Sequence, residues 1–349
     1  MRRFDYSFLA GKAIPSEIVD LALGIGELKA MESVRMQDHP MIFDKLESVA
    51  KVQSVKNSNA IEGIITTDKR IEQIVNQNSA PLNHSEMEIA GYRDALKLIH
   101  EGHERINLTD GDIRHLHAVI QQYSGDPEAG KYKAEDNLIL EIASGGERLV
   151  RFTPVSAEET PRSMEQMLLA YRAARDDSRI NNLLLIPCVI LDFLCIHPFR
   201  DGNGRLSRLL SLLLLYKSGF DAGKYISFEE QINRTKGSYY RTLQTSSDGW
   251  HEGTNDYMPF VKHFIVTLYL CYKELDKRFS VVRGKSVTKE HRIEAIVLES
   301  LLPVTKRDIL SLLPDVSETT VERVLGSLVR TGKIEKLGAN RNARYIKKD

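Results

Sequence analysis

The segment Leu183-Leu184-Leu185-Ile186-Pro187-Cys188-Val189-Ile190-Leu191 is apolar on every side of a helix, and Leu209–Tyr216 is nearly so. A helix without a polar face has to be surrounded by protein, so the two runs predict central helices in a mainly α fold. Between them lies one polar stretch, His197-Pro198-Phe199-Arg200-Asp201-Gly202-Asn203-Gly204-Arg205-Leu206-Ser207-Arg208. A polar loop that joins two buried helices is the first candidate for chemistry.

The loop collects a base, His197, a hard-metal ligand, Asp201, and the backbone positions Gly202, Asn203 and Gly204. Without a Cβ the glycines let main-chain N–H groups turn inward. If Gly202 to Arg205 open the next helix, those donors and the positive end of its dipole attract an anion. Arg205 and Arg208, three apart, are expected to share a helix face and clamp phosphate oxygens. Magnesium takes one or two protein carboxylates and completes its shell with water and phosphate, so Asp201 can serve alone. His197 is the residue here whose ordinary pKa lets it accept a proton near neutrality. The alternative is a plain helix–helix turn with solvated arginines.

As a whole the stretch resembles the Fic family motif, H-x-F-x-[D/E]-G-N-G-R-x-x-R, with every defining position filled. The resemblance implies a Fic-type helical bundle and transfer of AMP from ATP, with Mg²⁺, to a hydroxyl of a target protein. His197 would be catalytic, Asp201 the metal ligand, and Gly202, Asn203, Gly204, Arg205 and Arg208 the phosphate binders.

Upstream, apolar spacing predicts helices over Ser16–Met36 and about Met41–Ile61. The second ends in Ser58-Asn59-Ala60-Ile61-Glu62-Gly63, where Gly63 is a C-terminal stop and Ser58 and Glu62 stand one above the other. On spacing alone Glu62 reads as a solvated residue beside a C-cap. In one class of Fic proteins an inhibitory helix carries [S/T]-x-x-x-E-[G/N], which Ser58, Glu62 and Gly63 fill. That implies a helix at about 41–63 whose Glu62 pairs with Arg208 and denies it to a γ-phosphate.

Further helices are signalled by Ser85-x-x-Glu88 and Thr109-x-x-Asp112. On the latter helix His115 reads as surface and His117 as core. The β-rich runs Asn137–Ile142 and Arg148–Thr153, separated by Ala143-Ser144-Gly145-Gly146-Glu147, predict a hairpin. By resemblance it is the Fic flap, about 136–153, on whose edge a target segment docks as an added strand. It follows Gly130-Lys131-Tyr132-Lys133, with Lys133 where the family usually has arginine. Helices are predicted again over Pro161–Ala174, Asn181–Ile196 and Tyr257–Phe279. Tyr239 and Tyr240 read from the chain as one buried and one exposed residue; the family has a Tyr-Tyr pair lining the nucleoside pocket.

Val281-Val282-Arg283-Gly284-Lys285-Ser286 reads as a linker. Beyond it, helices at Glu290–Leu302, Lys306–Leu313 and Ser317–Thr331 and strands at Lys333–Leu337 and Arg344–Lys347 resemble a winged helix. The expected organisation is an N-terminal helical region at 1–110, a Fic catalytic core at 111–280 and this small domain at 281–349. From Gly284 to Asp349 there are 13 Lys and Arg against 9 Asp and Glu, an excess of four. The third helix nevertheless offers Glu318 and Glu322 beside Arg323. DNA contact and a protein-docking or packing role both stay open.

Across 349 residues Lys and Arg, 48, equal Asp and Glu, 48, so no overall field recruits nucleic acid or a membrane. Cys188, Cys195 and Cys271 read as reduced packing residues. Met1-Arg2-Arg3-Phe4-Asp5 has no apolar run behind its charges, and Leu209–Tyr216 is too short to span a bilayer, so the expected location is the cytoplasm. The leading function is an AMP transferase acting on Ser, Thr or Tyr and held back by Glu62. A hydrolase that removes AMP with the help of Glu62, or a nucleotide-sensing DNA-binding regulator, are the alternatives. Self-modification and a homodimer are compatible with each.

Overall fold

The structure, a computed structural model, describes residues 2–142, 148–283, 288–298, 300, 303–313, 316–338 and 343–348. The expected hairpin turn 143–147 and half of the expected linker, 284–286, lie outside these residues, as does 339–342 of the C-terminal hairpin.

The chain opens with α1 (Ser16–Asp38) and α2 (Pro40–Ile61), followed by α3 (Asp68–Gln77), which is not among the expected helices and is capped by Thr67. Next come α4 (His84–Gly102) and α5 (Asp110–Gln121). Thr109 and Asp112 form the expected capping box on α5. On α4 the cap is Asn83, whose side chain accepts from the Glu86 N–H, rather than Ser85; Glu88 is thereby released for another role.

Strands β1 (Ile139–Ile142) and β2 (Arg148–Phe152) form the antiparallel hairpin, pairing Leu140 with Val150 and Ile142 with Arg148. Helix α6 (Thr160–Arg175) leads to α7 (Asn182–Ile196) and α8 (Asn203–Lys217), which pack together. Both are buried almost throughout, as their apolar surfaces demand. Helices α9 (Phe228–Arg234), α10 (Lys236–Ser247) and α11 (Met258–Arg283) complete the bundle. Val281–Arg283 is thus the last turn of α11, not part of a linker.

Asp192 of α7 is fully buried and ties the start of the chain to this core. It accepts hydrogen bonds from Tyr6 Oη (2.7 Å), Trp250 Nε1 (2.7 Å) and Tyr257 Oη (2.9 Å), with Arg2 at 3.8 Å. All three cysteines are buried and free. Among the described residues no helix is long and apolar enough to cross a membrane.

The C-terminal residues form α12 (Lys289–Leu298), β3 (Val304–Thr305), α13 (Lys306–Leu312), α14 (Glu318–Arg330), β4 (Ile334–Leu337) and β5 (Arg344–Lys347). The strands make one antiparallel sheet in the order β3-β5-β4. Val304 and Thr305, just ahead of the helix expected from Lys306, form β3, and Thr305 then caps α13. This unit rests on α2, where Lys45 pairs with Asp308 at 2.9 Å.

Candidate functional site

His197 sits at the end of α7 in the left-handed conformation, φ 51° and ψ 61°, which costs a non-glycine residue about 1 kcal/mol or more. Its Nδ1 lies 3.3 Å from the Leu194 carbonyl oxygen. A carbonyl only accepts, so this contact assigns the proton to Nδ1 and leaves the Nε2 lone pair available. Burial pulls the imidazole pKa down to about 4, outweighing the Leu194 bond, so the ring is neutral at pH 7 and can take a proton.

The loop after His197 is interlocked with itself and with α5. Phe199 is fully buried, and its ring stacks on His117 at 3.8 Å and 5°. Asn203 closes the turn from both sides: its Oδ1 accepts from the Phe199 N–H at 3.0 Å and its Nδ2 donates to the Phe199 carbonyl at 2.7 Å. The Asn203 side chain therefore shapes the loop, which leaves its main-chain N–H as the group an anion could use. His117 is buried as expected and His115 exposed. His117 Nδ1 accepts from the Gly130 N–H (2.9 Å), which leaves its Nε2–H to donate to the Asp201 carbonyl (3.0 Å).

Gly202 precedes α8 at φ 78°, a conformation that favours glycine, and a Cβ there would press on Gln121 and His117. The first-turn N–H groups of Asn203, Gly204 and Arg205 have no partner inside the helix and sit where an anion-binding end is expected. Asp201 projects a side chain that is 68% exposed, with one oxygen 3.2 Å from Arg205 Nη2. An exposed carboxylate beside free amides suits a magnesium ion shared with phosphates.

The two arginines do not act as a joint clamp. Arg205 turns into the protein, where its Nη2 meets Glu88 at 2.7 Å, and its guanidinium does not line the cleft. Arg208, 1% exposed as a residue, lines the cleft and is already occupied. Its Nε donates to Ser58 Oγ (2.8 Å), and its Nη2 donates to the Ser58 carbonyl (2.9 Å) and to Glu62 Oε1 (2.8 Å). Burial lowers the Arg208 pKa, but the Glu62 carboxylate outweighs it and the net shift is upward. Gly63, at φ 80°, ends the turn that delivers Glu62.

Glu62 stands against the anion-binding end of α8. A Cβ on Gly204 would come within 2.2 Å of Glu62 Oε1. The carboxylate thus fills space over the first turn of α8.

These residues open onto a cleft of about 670 Å³ lined by His197, Glu62 and Arg208, by Tyr239 and Tyr240, and by the flap. Tyr239 is buried and Tyr240 half-buried, their rings 5.4 Å apart edge-to-face. Arg151 from β2 lies over the Tyr240 ring at 5.2 Å. Among the residues that sequence reasoning overlooked, Glu88 and Lys236 matter most. Glu88 had a signal, a carboxylate on the apolar face of α4. Lys236 Nζ, which caps the Ile61 carbonyl at 2.6 Å next to Glu62, had none.

A left-handed histidine, a glycine-opened helix end and a hairpin meet at one cleft, set in a helical bundle. Residues 107–215 match the model of the Fic/DOC family. That match covers about a third of the chain, the part that carries the site.

Its curated relatives include a protein adenylyltransferase Fic from Nematostella vectensis, 24% identical over 73% of this chain. Another is the protein adenylyltransferase fic-1 of Caenorhabditis elegans, 28% identical over 50% of it. The matches span 60% and 31% of those relatives' own lengths. Among solved structures, a Fic family protein from Desulfovibrio desulfuricans superposes with a TM-score of 0.63 at 21% identity, covering 97% of each chain. A Fic domain containing signaling protein from Bacteroides thetaiotaomicron gives 0.58 at 24% identity, covering 75% of this chain and 97% of its own. At these identities the likeness establishes the fold.

Proposed function

We propose that the protein transfers AMP from ATP to a Ser, Thr or Tyr hydroxyl of a target protein and is held in check by Glu62. His197 Nε2 would take the hydroxyl proton, and the oxygen would attack the α-phosphorus. The bond to the β-phosphate would break, pyrophosphate leaving with the electron pair. The first-turn amides of α8 would hold the phosphates and stabilise the charge that develops. Asp201 would hold Mg²⁺, which when bound neutralises phosphate charge. Tyr240 and Leu243 would face the base.

The observation that carries this reading is the occupied Arg208. A guanidinium aimed into a phosphate cleft and tied up by Ser58 and Glu62 is a site complete but restrained. A triphosphate could enter only with its γ-phosphate displaced, which misaligns the α-phosphorus for in-line attack. The test is incubation with α-labelled ATP and Mg²⁺, followed by intact mass of the protein itself and labelling of added lysate. Glu62→Gly is expected to raise transfer on the order of 10²-fold. Unchanged labelling would refute the inhibitory role.

Because Glu62 also lines the cleft with His197, a hydrolase that removes AMP is the second reading. In that case the same substitution abolishes activity on a pre-modified target. For the C-terminal unit we favour packing or protein docking over DNA contact. Four of its described cations are engaged in ion pairs: Lys306 with Glu322, Arg323 with Glu290, Lys333 with Glu294 and Arg344 with Glu72.

A further inference from the structure

The segment before the flap, Gly130 to Asn137, passes beneath the catalytic loop. Lys133 is 6% exposed there, an unusual place for a lysine. Its Nζ donates to Asn137 Oδ1 at 2.8 Å and to the Ile196 carbonyl at 3.3 Å, and its main-chain N–H donates to the Pro198 carbonyl at 2.9 Å. Asn137 Nδ2 in turn donates to the Phe199 carbonyl at 3.2 Å. The carbonyls on either side of His197, and the next one along, are therefore all held by this one pair of residues. A left-handed non-glycine residue persists only when its surroundings over-determine it, and these bonds hold the peptide that enters His197 and the two peptides beyond Pro198.

We propose that Lys133 is a positioning residue for His197: its ammonium group, braced by Asn137, fixes the left-handed turn that aims Nε2 into the cleft. The inference rests on the proposed AMP transfer for its kinetic arm and on geometry alone for the rest. The role requires a charged donor. Burial lowers the Lys133 pKa to about 8, partly opposed by Asp136. The ionisable groups facing it are Asp136 on its own segment and His197 on the loop. Glu62 from α2 and Asp201 act on His197 in turn. As pH rises through about 8 the ammonium loses its proton, the bond to the Ile196 carbonyl loses its charge assistance, and the turn loosens. Arginine would stay charged throughout this range.

The experiment compares Lys133→Met and Lys133→Arg in two ways. Kinetically, each is combined with Glu62→Gly and transfer is followed against pH. With lysine present the rate should fall above about pH 8. With arginine the plateau should persist to about pH 10. With methionine the rate at neutral pH should drop roughly ten- to a hundredfold with little change in KM for ATP. Structurally, the nucleotide-free single variants are titrated by NMR of labelled histidine. There Lys133→Met should raise the His197 pKa, by removing a nearby cation, and broaden its signal. An unshifted alkaline limb in Lys133→Arg, or an unchanged His197 titration in Lys133→Met, overturns the proposal. Should the methionine variant not fold, the arginine profile decides alone. Absence of any transfer in every variant refutes the AMP-transferase reading, and the titration still judges Lys133.

Discussion

The loop that carries His197 and the flap line the same cleft and are built differently. In the loop, Phe199 and Asn203 are essentially fully buried, and the main chain around His197 is held by Asn203, His117, Lys133 and Asn137. The flap is two strands of four and five residues with no third strand beside them among the described residues. It exposes Leu138 (55%), Leu140 (47%) and Val150 (56%) to solvent. Leu140 and Val150 are register partners, so they share one face. A pair of strands with open edges and bare apolar side chains is marginal alone and is suited to accept another strand. On the proposed function, rigidity is concentrated where reacting atoms would be placed, and open edges where a partner would be received.

The strongest way to break the contrast is at its chemical centre. His197→Ala, introduced beside Glu62→Gly, should lower transfer by about 10²- to 10⁴-fold, the usual share of a general base. Thermal unfolding should barely move, because the side chain makes one hydrogen bond, to the Leu194 carbonyl. A large fall in melting temperature would show that His197 is structural. Next in size is Phe199→Ala. It empties a fully buried site and strips His117 of its stacking partner, so a loss of about 3–5 kcal/mol is expected from chemical denaturation. A loss under about 1 kcal/mol would mean the loop is not anchored as described.

The same contrast marks what could be read from the chain. The apolar runs of α7 and α8, the helix start at Gly202 and the hairpin strands were legible because hydrophobic period and turn chemistry act locally. So was the meeting of Ser58, Glu62 and Arg208, though only through resemblance. The 150 residues separating Ser58 from Arg208 carry no local signal. Three features escaped for one physical reason, that tertiary partners decide them. Glu88 left its expected capping role because Asn83 took the cap and Arg205 needed a carboxylate. Arg205 left the expected clamp for the same pairing. Val304 and Thr305 became a strand because Arg344 and Tyr345 offered an edge, a pairing across some forty residues that local propensity cannot foresee.

The smallest effect on stability, and the most informative about the flap, belongs to Leu140→Ser with Val150→Ser. Both side chains are largely solvated, so global stability should stay within about 0.5 kcal/mol per site. Modification of an added target should nonetheless fall, because strand addition draws its specificity from side chains that alternate along the exposed face. Any self-modification that does not use the flap edge would be spared, so intact mass of the enzyme and labelling of the target, measured in one reaction, separate the two routes. If both decline together, the flap supports the cleft itself, through Arg151 over Tyr240, and the division between a rigid loop and a receptive hairpin fails. If target labelling alone declines, the two strands are a docking edge that contributes little to the fold around them.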